Sequence, residues 1–176
     1  MRPTESTRAM PVVLVAVLAL LLLARGATGW WEKAHPPEVY DRVQWLAPAE
    51  ASQASAMHRR PILYDFTAEW CGPCKRLERD VFSRRDEAAQ ISAMFVPARV
   101  LDRQREEGHN PAEVDTLQRR YEIEGFPTLL AVTPEGRELG RIVGFPGRIA
   151  TMDSLRVFFR RAAQARMTQA PSFGTP

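Results

Sequence analysis

Cys71 and Cys74 are the only cysteines of the 176-residue chain, and they sit in the string Glu69-Trp70-Cys71-Gly72-Pro73-Cys74-Lys75. If a helix opens at Cys71, a spacing of three puts both sulfurs on adjoining positions of its first turn, with α-carbons inside disulfide range. Pro73 suits such a turn, because its missing N–H would be unpaired there in any case. The reactive species in thiol–disulfide exchange is the thiolate. Unpaired backbone N–H groups and the helix dipole lower the pKa of a thiol at a helix N-terminus. Cys71, expected to be the more exposed of the pair, is therefore assigned attack on a substrate disulfide. Cys74, one turn deeper, is assigned the attack that resolves the mixed disulfide. Half of a zinc site and an inert structural disulfide are the competing assignments. Zinc takes about four ligands, but there is no second Cys pair and His35, His58 and His109 are widely scattered. Neither a metal nor a cofactor is expected. A disulfide closing so small a ring constrains the unfolded chain little, which favours a redox role.

Such a pair needs a strand to deliver the chain into the helix. Ile62 to Thr67 (Ile-Leu-Tyr-Asp-Phe-Thr) is short, apolar and rich in strand formers. Before it, Ala47 to Arg59 is rich in alanine and polar residues and predicts a first helix, stopped by Pro61. The Cys helix is expected over Cys71 to Ser83, with Leu77, Val81 and Phe82 on its inner side. A short helix follows over Asp86 to Met94, then a strand over Phe95 to Leu101. Asp102 to Asn110 is a charged loop that could touch a partner, since functional residues concentrate on loops. Pro111 opens the next helix, through Val114, Leu117 and Tyr121. Thr128 to Thr133 and Glu138 to Val143 read as a hairpin about the turn Pro134-Glu135-Gly136-Arg137. Ile149 to Arg166 is a closing helix, with Leu155, Phe158 and Phe159 facing in. The order helix, strand, helix, strand, helix, strand, strand, helix is an α/β layout. It implies a central mixed sheet of about four to five strands with helices on both faces.

The formal charge is +3. Arg2, Arg8, Arg25 and Glu5 lie in the first 29 residues, which leaves a near-balanced 21 basic and 20 acidic side chains beyond them. The basic pI therefore gives no reason to expect nucleic acid, and no basic patch with interleaved aromatics is present. Positive residues followed by the apolar run Val12 to Ala24 and the small residues Ala27-Thr28-Gly29 mark 1–29 as an export segment. Thirteen apolar residues are short for a membrane span, which takes about 20. Yet Trp30-Trp31 could sit at a membrane interface and let residues 10–31 act as an uncleaved anchor. Cleavage and anchoring both stay open, and both put the domain outside the cytoplasm, in a bacterial periplasm. Residues 30–44, with Pro36-Pro37, read as a linker, 45–166 as the domain and 167–176 as a frayed tail.

Phe66-Thr67-Ala68-Glu69-Trp70-Cys71-Gly72-Pro73-Cys74-Lys75 resembles the active-site signature of the thioredoxin superfamily. Tyr64-Asp65-Phe66-Thr67-Ala68, Lys75-Arg76-Leu77-Glu78 and Val81-Phe82 look most like the periplasmic C-terminal domain of the membrane thiol reductase DsbD and its stand-alone relatives. The resemblance spans roughly Trp45 to Arg160 and implies a thioredoxin-like fold. It identifies Pro127, in Gly125-Phe126-Pro127-Thr128, with the family's cis proline facing the Cys pair, beside which a substrate chain can pair with Phe126. An ordinary trans proline opening an edge strand is the alternative. It aligns Asp65 with a buried acid beneath the site, which would take the Cys74 proton as that thiol attacks; an exposed strand-end carboxylate is the alternative. Glu69 is a weaker candidate of the same kind. Trp70, Gly72 and Pro73 would shape the substrate surface, Lys75 and Arg76 would add positive charge, and Gly144 aligns with a glycine near the groove.

The expected function is an extracytoplasmic thiol–disulfide oxidoreductase that reduces protein disulfides through the Cys-Gly-Pro-Cys dithiol. Thioredoxin, which carries the same Gly-Pro dipeptide, is roughly 150 mV more reducing than DsbA, about 7 kcal/mol in favour of electron donation. The resemblance implies disulfide-bearing protein substrates and a membrane electron donor of DsbD type. A disulfide oxidase or isomerase on the same scaffold, and a non-catalytic thioredoxin-fold binding module, stand as alternatives.

Overall fold

The computed structural model describes residues 14–23, 25 and 40–169. Of the expected export segment 1–29, residues 14–23 and 25 are described and helical; its other residues, residues 30–39 of the expected linker and the tail from residue 170 lie outside the described residues. Among the described residues, no helix is long and apolar enough to cross a membrane.

Helix α1 covers Pro48–His58 and leads through Arg59, in the left-handed conformation, to strand β1, Ile62–Ala68. Helix α2 runs over Gly72–Leu77 and continues as a π-helical turn over Glu78–Phe82. Helix α3, Arg85–Met94, precedes β2, Val96–Asp102. The expected loop after β2 contains one short helix, α4, Gln104–Glu107, before α5, Ala112–Arg120. Strands β3, Thr128–Val132, and β4, Glu138–Val143, form the hairpin, and α6, Arg148–Gln169, closes the chain. The sheet has four strands in the order β2-β1-β3-β4. The β1–β2 pair is parallel, and the other two pairs are antiparallel. This is the mixed sheet that the order of elements predicts.

Alternation along β1 divides the core. Ile62, Tyr64 and Phe66 join Ala98, Val100, Leu130 and Val132 on the face covered by α1 and α5. Leu63 points the other way, into a cluster with Leu77 of α2, Val81 and Phe82 of the π-helical turn, Ile91 of α3, Phe95 just after it, and Leu155 and Phe158 of α6. By the same period of two, Asp65 belongs to the α2 side.

Two boundaries differ from expectation. Residues 40–44 belong to the folded domain rather than to a linker. Val43 is in the core, Arg42 N donates to Phe82 O at 2.9 Å, and Leu46 bridges to Ala98 on the outer edge of β2. Pro36-Pro37 is a linker signal that says nothing of the residues beyond it. The last helix runs to Gln169 instead of stopping at 166. Ala165, Arg166 and Met167 are good helix formers, and the next breaker is Pro171.

Candidate active site

Cys71 is the N-cap of α2, with extended backbone, and its Sγ accepts a hydrogen bond from Cys74 N at 3.1 Å. Cys71 N donates to Ala68 O at 3.1 Å and so fastens the turn to the end of β1. Gly72 and Pro73 occupy the first turn, where proline's lack of an N–H leaves no bond unmade. Cys71 and Cys74 are joined in a disulfide with a Cα–Cα distance of 5.3 Å. The expectation that Cys71 is the more exposed does not hold: it is 1% accessible and Cys74 is 7%. Phe126 packs against the cluster of Ala68, Cys71 and Cys74. Any preference of Cys71 for attack therefore rests on its N-cap position, where a backbone N–H already points at the sulfur, and not on exposure.

Trp70 stands over this corner, 47% exposed. Its ring meets Phe126 edge-on at 6.2 Å, and the Arg105 guanidinium lies 5.3 Å from its centroid. Arg105 comes from α4, so the charged segment after β2 borders the Cys pair. A buried polar cluster holds that segment in place. Asp102 Oδ2 accepts from Asn110 Nδ2 at 2.8 Å and Gln118 Nε2 at 2.9 Å, while Asn110 Oδ1 accepts from Arg103 N at 2.6 Å.

The Phe126–Pro127 peptide bond is cis. Pro127 O accepts from Gly144 N at 2.7 Å, which ties the end of β4 to the proline. Gly144 has φ +77°, a conformation that favours glycine.

Asp65 is buried, 2% exposed, on the α2 side of β1. The parallel register places Arg99 of β2 directly opposite it. Arg99 Nε and Nη2 both lie 3.1 Å from Asp65 Oδ2, and Asp65 Oδ1 has no hydrogen-bond partner among the described residues. Burial pushes the carboxyl up to about 6; Arg99 opposes that rise, and Asp41 and Glu78 add to it. Asp65, Cys74, Arg99, Lys75 and Glu78 line one cavity of about 400 Å³, beneath the Cys pair. It has room for several water molecules between Cys74 and the acid. Glu69 lines the same cavity but is itself exposed.

Arg99, Asp41 and Trp45 escaped the sequence reading. Arg99 Nη2 also lies 2.7 Å from Asp41 Oδ2, and its guanidinium stacks 4.5 Å over the Trp45 ring. The one available signal was Arg99 itself, a lone charge within the apolar run Val96 to Leu101. Nothing in the sequence marks Asp41, whose role depends on where the chain folds back. Among the described residues no cluster of His, Cys, Asp and Glu could hold a metal ion.

Known proteins are similar to this chain. Thiol:disulfide interchange protein DsbD of Actinobacillus pleuropneumoniae is 31% identical over 108 residues, covering 60% of this chain and 17% of that protein. Disulfide bond reductase DsbH of Chlamydia pneumoniae is 28% identical over 110 residues, covering 60% of this chain and 65% of the relative. The chain thus spans less than a fifth of the first relative's length and about two thirds of the second's. A thioredoxin from Thermus thermophilus superposes with a TM-score of 0.59 at 26% identity, over 74% of this chain and 98% of that one. The family model described as thioredoxin-like domain matches residues 48–155, from the start of α1 into α6 and across both Cys71-Cys74 and Phe126-Pro127. With the mixed sheet and the dithiol at a helix N-terminus, that match makes this chain a member of the thioredoxin-like domain family.

Proposed function

We propose that the protein is a thiol–disulfide oxidoreductase that reduces disulfides of other proteins outside the cytoplasm. The observation that carries this reading is the Cys71 sulfur at the N-cap of α2, bonded to Cys74 and facing the Cys74 N–H. In the reduced protein that N–H and the helix end stabilise a Cys71 thiolate. The thiolate attacks one sulfur of a substrate disulfide, forms a mixed disulfide and expels a substrate thiolate. Cys74 then gives its proton to the Asp65 carboxylate and attacks the Cys71 sulfur. The second substrate thiolate leaves, and the Cys71–Cys74 disulfide closes. The substrate has gained two electrons, and the protein has lost them. An acid that titrates near 6 is charged at neutral pH yet still basic enough to accept the proton.

Trp70, Gly72, Pro73, Phe126 and Pro127 form the docking surface for the substrate chain in this reading. A membrane thiol donor of DsbD type returns the electrons. The names of the relatives, a thiol:disulfide interchange protein and a disulfide bond reductase, support the reaction class. The export pattern of residues 1–29 supports the location, either after cleavage or with residues 10–31 as an anchor. The folded domain in this reading takes in residues 41–44, ahead of the expected start at 45.

Expression of Cys74→Ser in the native host tests the assignment. Without the resolving thiol the mixed disulfide has no internal exit, so covalent adducts that dissolve on reduction should accumulate. Cys71→Ser should accumulate few. Mass spectrometry of the adducts names substrate and donor. Equal trapping by both variants, or by neither, refutes the roles.

A further inference from the structure

Asp65 shares its arginine. Ahead of α1 the chain runs along the outer edge of β2: Leu46 N donates to Pro97 O at 3.0 Å, and Arg99 N donates to Leu46 O at 3.1 Å. That path brings Asp41 to the Arg99 guanidinium. The Asp41 carboxylate is itself fixed, with Oδ1 accepting from Val43 N at 2.9 Å and Oδ2 from Trp45 Nε1 at 2.6 Å. Trp45 and Phe82, in edge contact with each other at 4.9 Å, flank the guanidinium at 4.5 and 5.8 Å. Arg99 Nη2 lies nearer to Asp41 (2.7 Å) than to Asp65 (3.1 Å).

We propose that Asp41 is a positioning residue for the proton transfer: by holding Arg99 against Trp45 and sharing its charge, it keeps Asp65 basic enough to accept the Cys74 proton. The inference rests on the oxidoreductase reading. An arginine wholly committed to one buried carboxylate stabilises the anion and makes it a poor base. A second carboxylate on the same guanidinium divides that stabilisation and adds like charge. The charged groups facing Asp65 are Arg99 from β2, Asp41 from the segment ahead of α1 and Glu78 from the π-helical turn after α2, with Lys75 and Glu69 along the cavity wall. Its β3 neighbour, Leu129, contributes none.

Asp41→Asn keeps the size and an oxygen acceptor while removing the charge, and it leaves Arg99 to Asp65. The Asp65 carboxyl, followed by NMR in the oxidised full-length protein, should then titrate about one pH unit lower. The pH midpoint for resolution of a preformed mixed disulfide with a model peptide should fall by the same amount. Asp41→Glu should restore both, and Asp153→Asn, on the exposed face of α6, should move neither. A loss of packing alone would change the unfolding midpoint without shifting these titrations. Should Asp41→Asn fail to fold, Trp45→Phe, which keeps a ring but loses the bond to Asp41, should give a smaller shift in the same direction. An unmoved or raised midpoint in whichever variant folds overturns the proposal. Two further outcomes overturn it at deeper levels. If the Asp65→Asn profile still rises at the wild-type pH, the proton-acceptor role fails with it. If the wild type does not resolve the mixed disulfide at all, the oxidoreductase reading fails.

Discussion

Asp65→Asn measures the energetic consequence of placing an acid beneath the Cys pair. The carboxyl is 2% exposed and lifted from an ordinary 3.8 to about 6, chiefly by burial. At 1.36 kcal/mol per pKa unit the difference amounts to about 3 kcal/mol. Because the folded state binds this proton more tightly than the unfolded state, the contribution is fully present below the unfolded value of 3.8. It is lost as pH rises through about 6, and the loss levels off above that. Asparagine does not titrate, so the variant escapes the loss. Arg99 is not stranded by the change, since Asp41 still pairs with it. Urea unfolding of the oxidised wild type and variant at pH 4 and pH 8 reads the effect. The variant's stability relative to wild type should rise by roughly 2 to 3 kcal/mol between the two pH values. At pH 7 it should reduce a model disulfide at least about tenfold more slowly, the low end of what a positioned base contributes. A stability difference that stays constant with pH refutes the buried-acid argument. A fast variant refutes the proton-transfer role even if the stability result holds.

Trp70→Ala removes a side chain that is half exposed and touches Phe126 and Arg105. KM for a peptide disulfide should rise about tenfold while the unfolding free energy changes by less than about 1 kcal/mol; a large stability loss with unchanged KM would make Trp70 a packing residue. Gly140→Ala brings a Cβ into the Phe158 ring between β4 and α6. Overpacking of this kind costs about 1–3 kcal/mol, read as a lower urea midpoint with the midpoint of the disulfide's redox titration unchanged.

The chemistry was legible in the sequence because it is local. A spacing of three between Cys71 and Cys74, with Pro73 between them, specifies a helical first turn whatever surrounds it. The apolar stretch Ile62 to Thr67 specifies the strand that feeds that turn. Hydrophobic periodicity likewise set the order of elements, since each helix and strand must bury one face. What the tertiary structure alone decided is everything that depends on two distant segments meeting. Phe126, from a distant segment, packs against Ala68 and the Cys pair, and Cys71 is the more buried of the two cysteines. The parallel register of β1 with β2 sets Arg99 opposite Asp65. The chain ahead of α1 returns along the edge of β2, and so a residue that reads as linker, Asp41, shares that arginine. Hydrogen bonding and charge act through space over a few ångströms, whereas Asp41, Asp65 and Arg99 are separated along the chain by 24 and 34 residues, distances at which sequence pattern carries no information about contact.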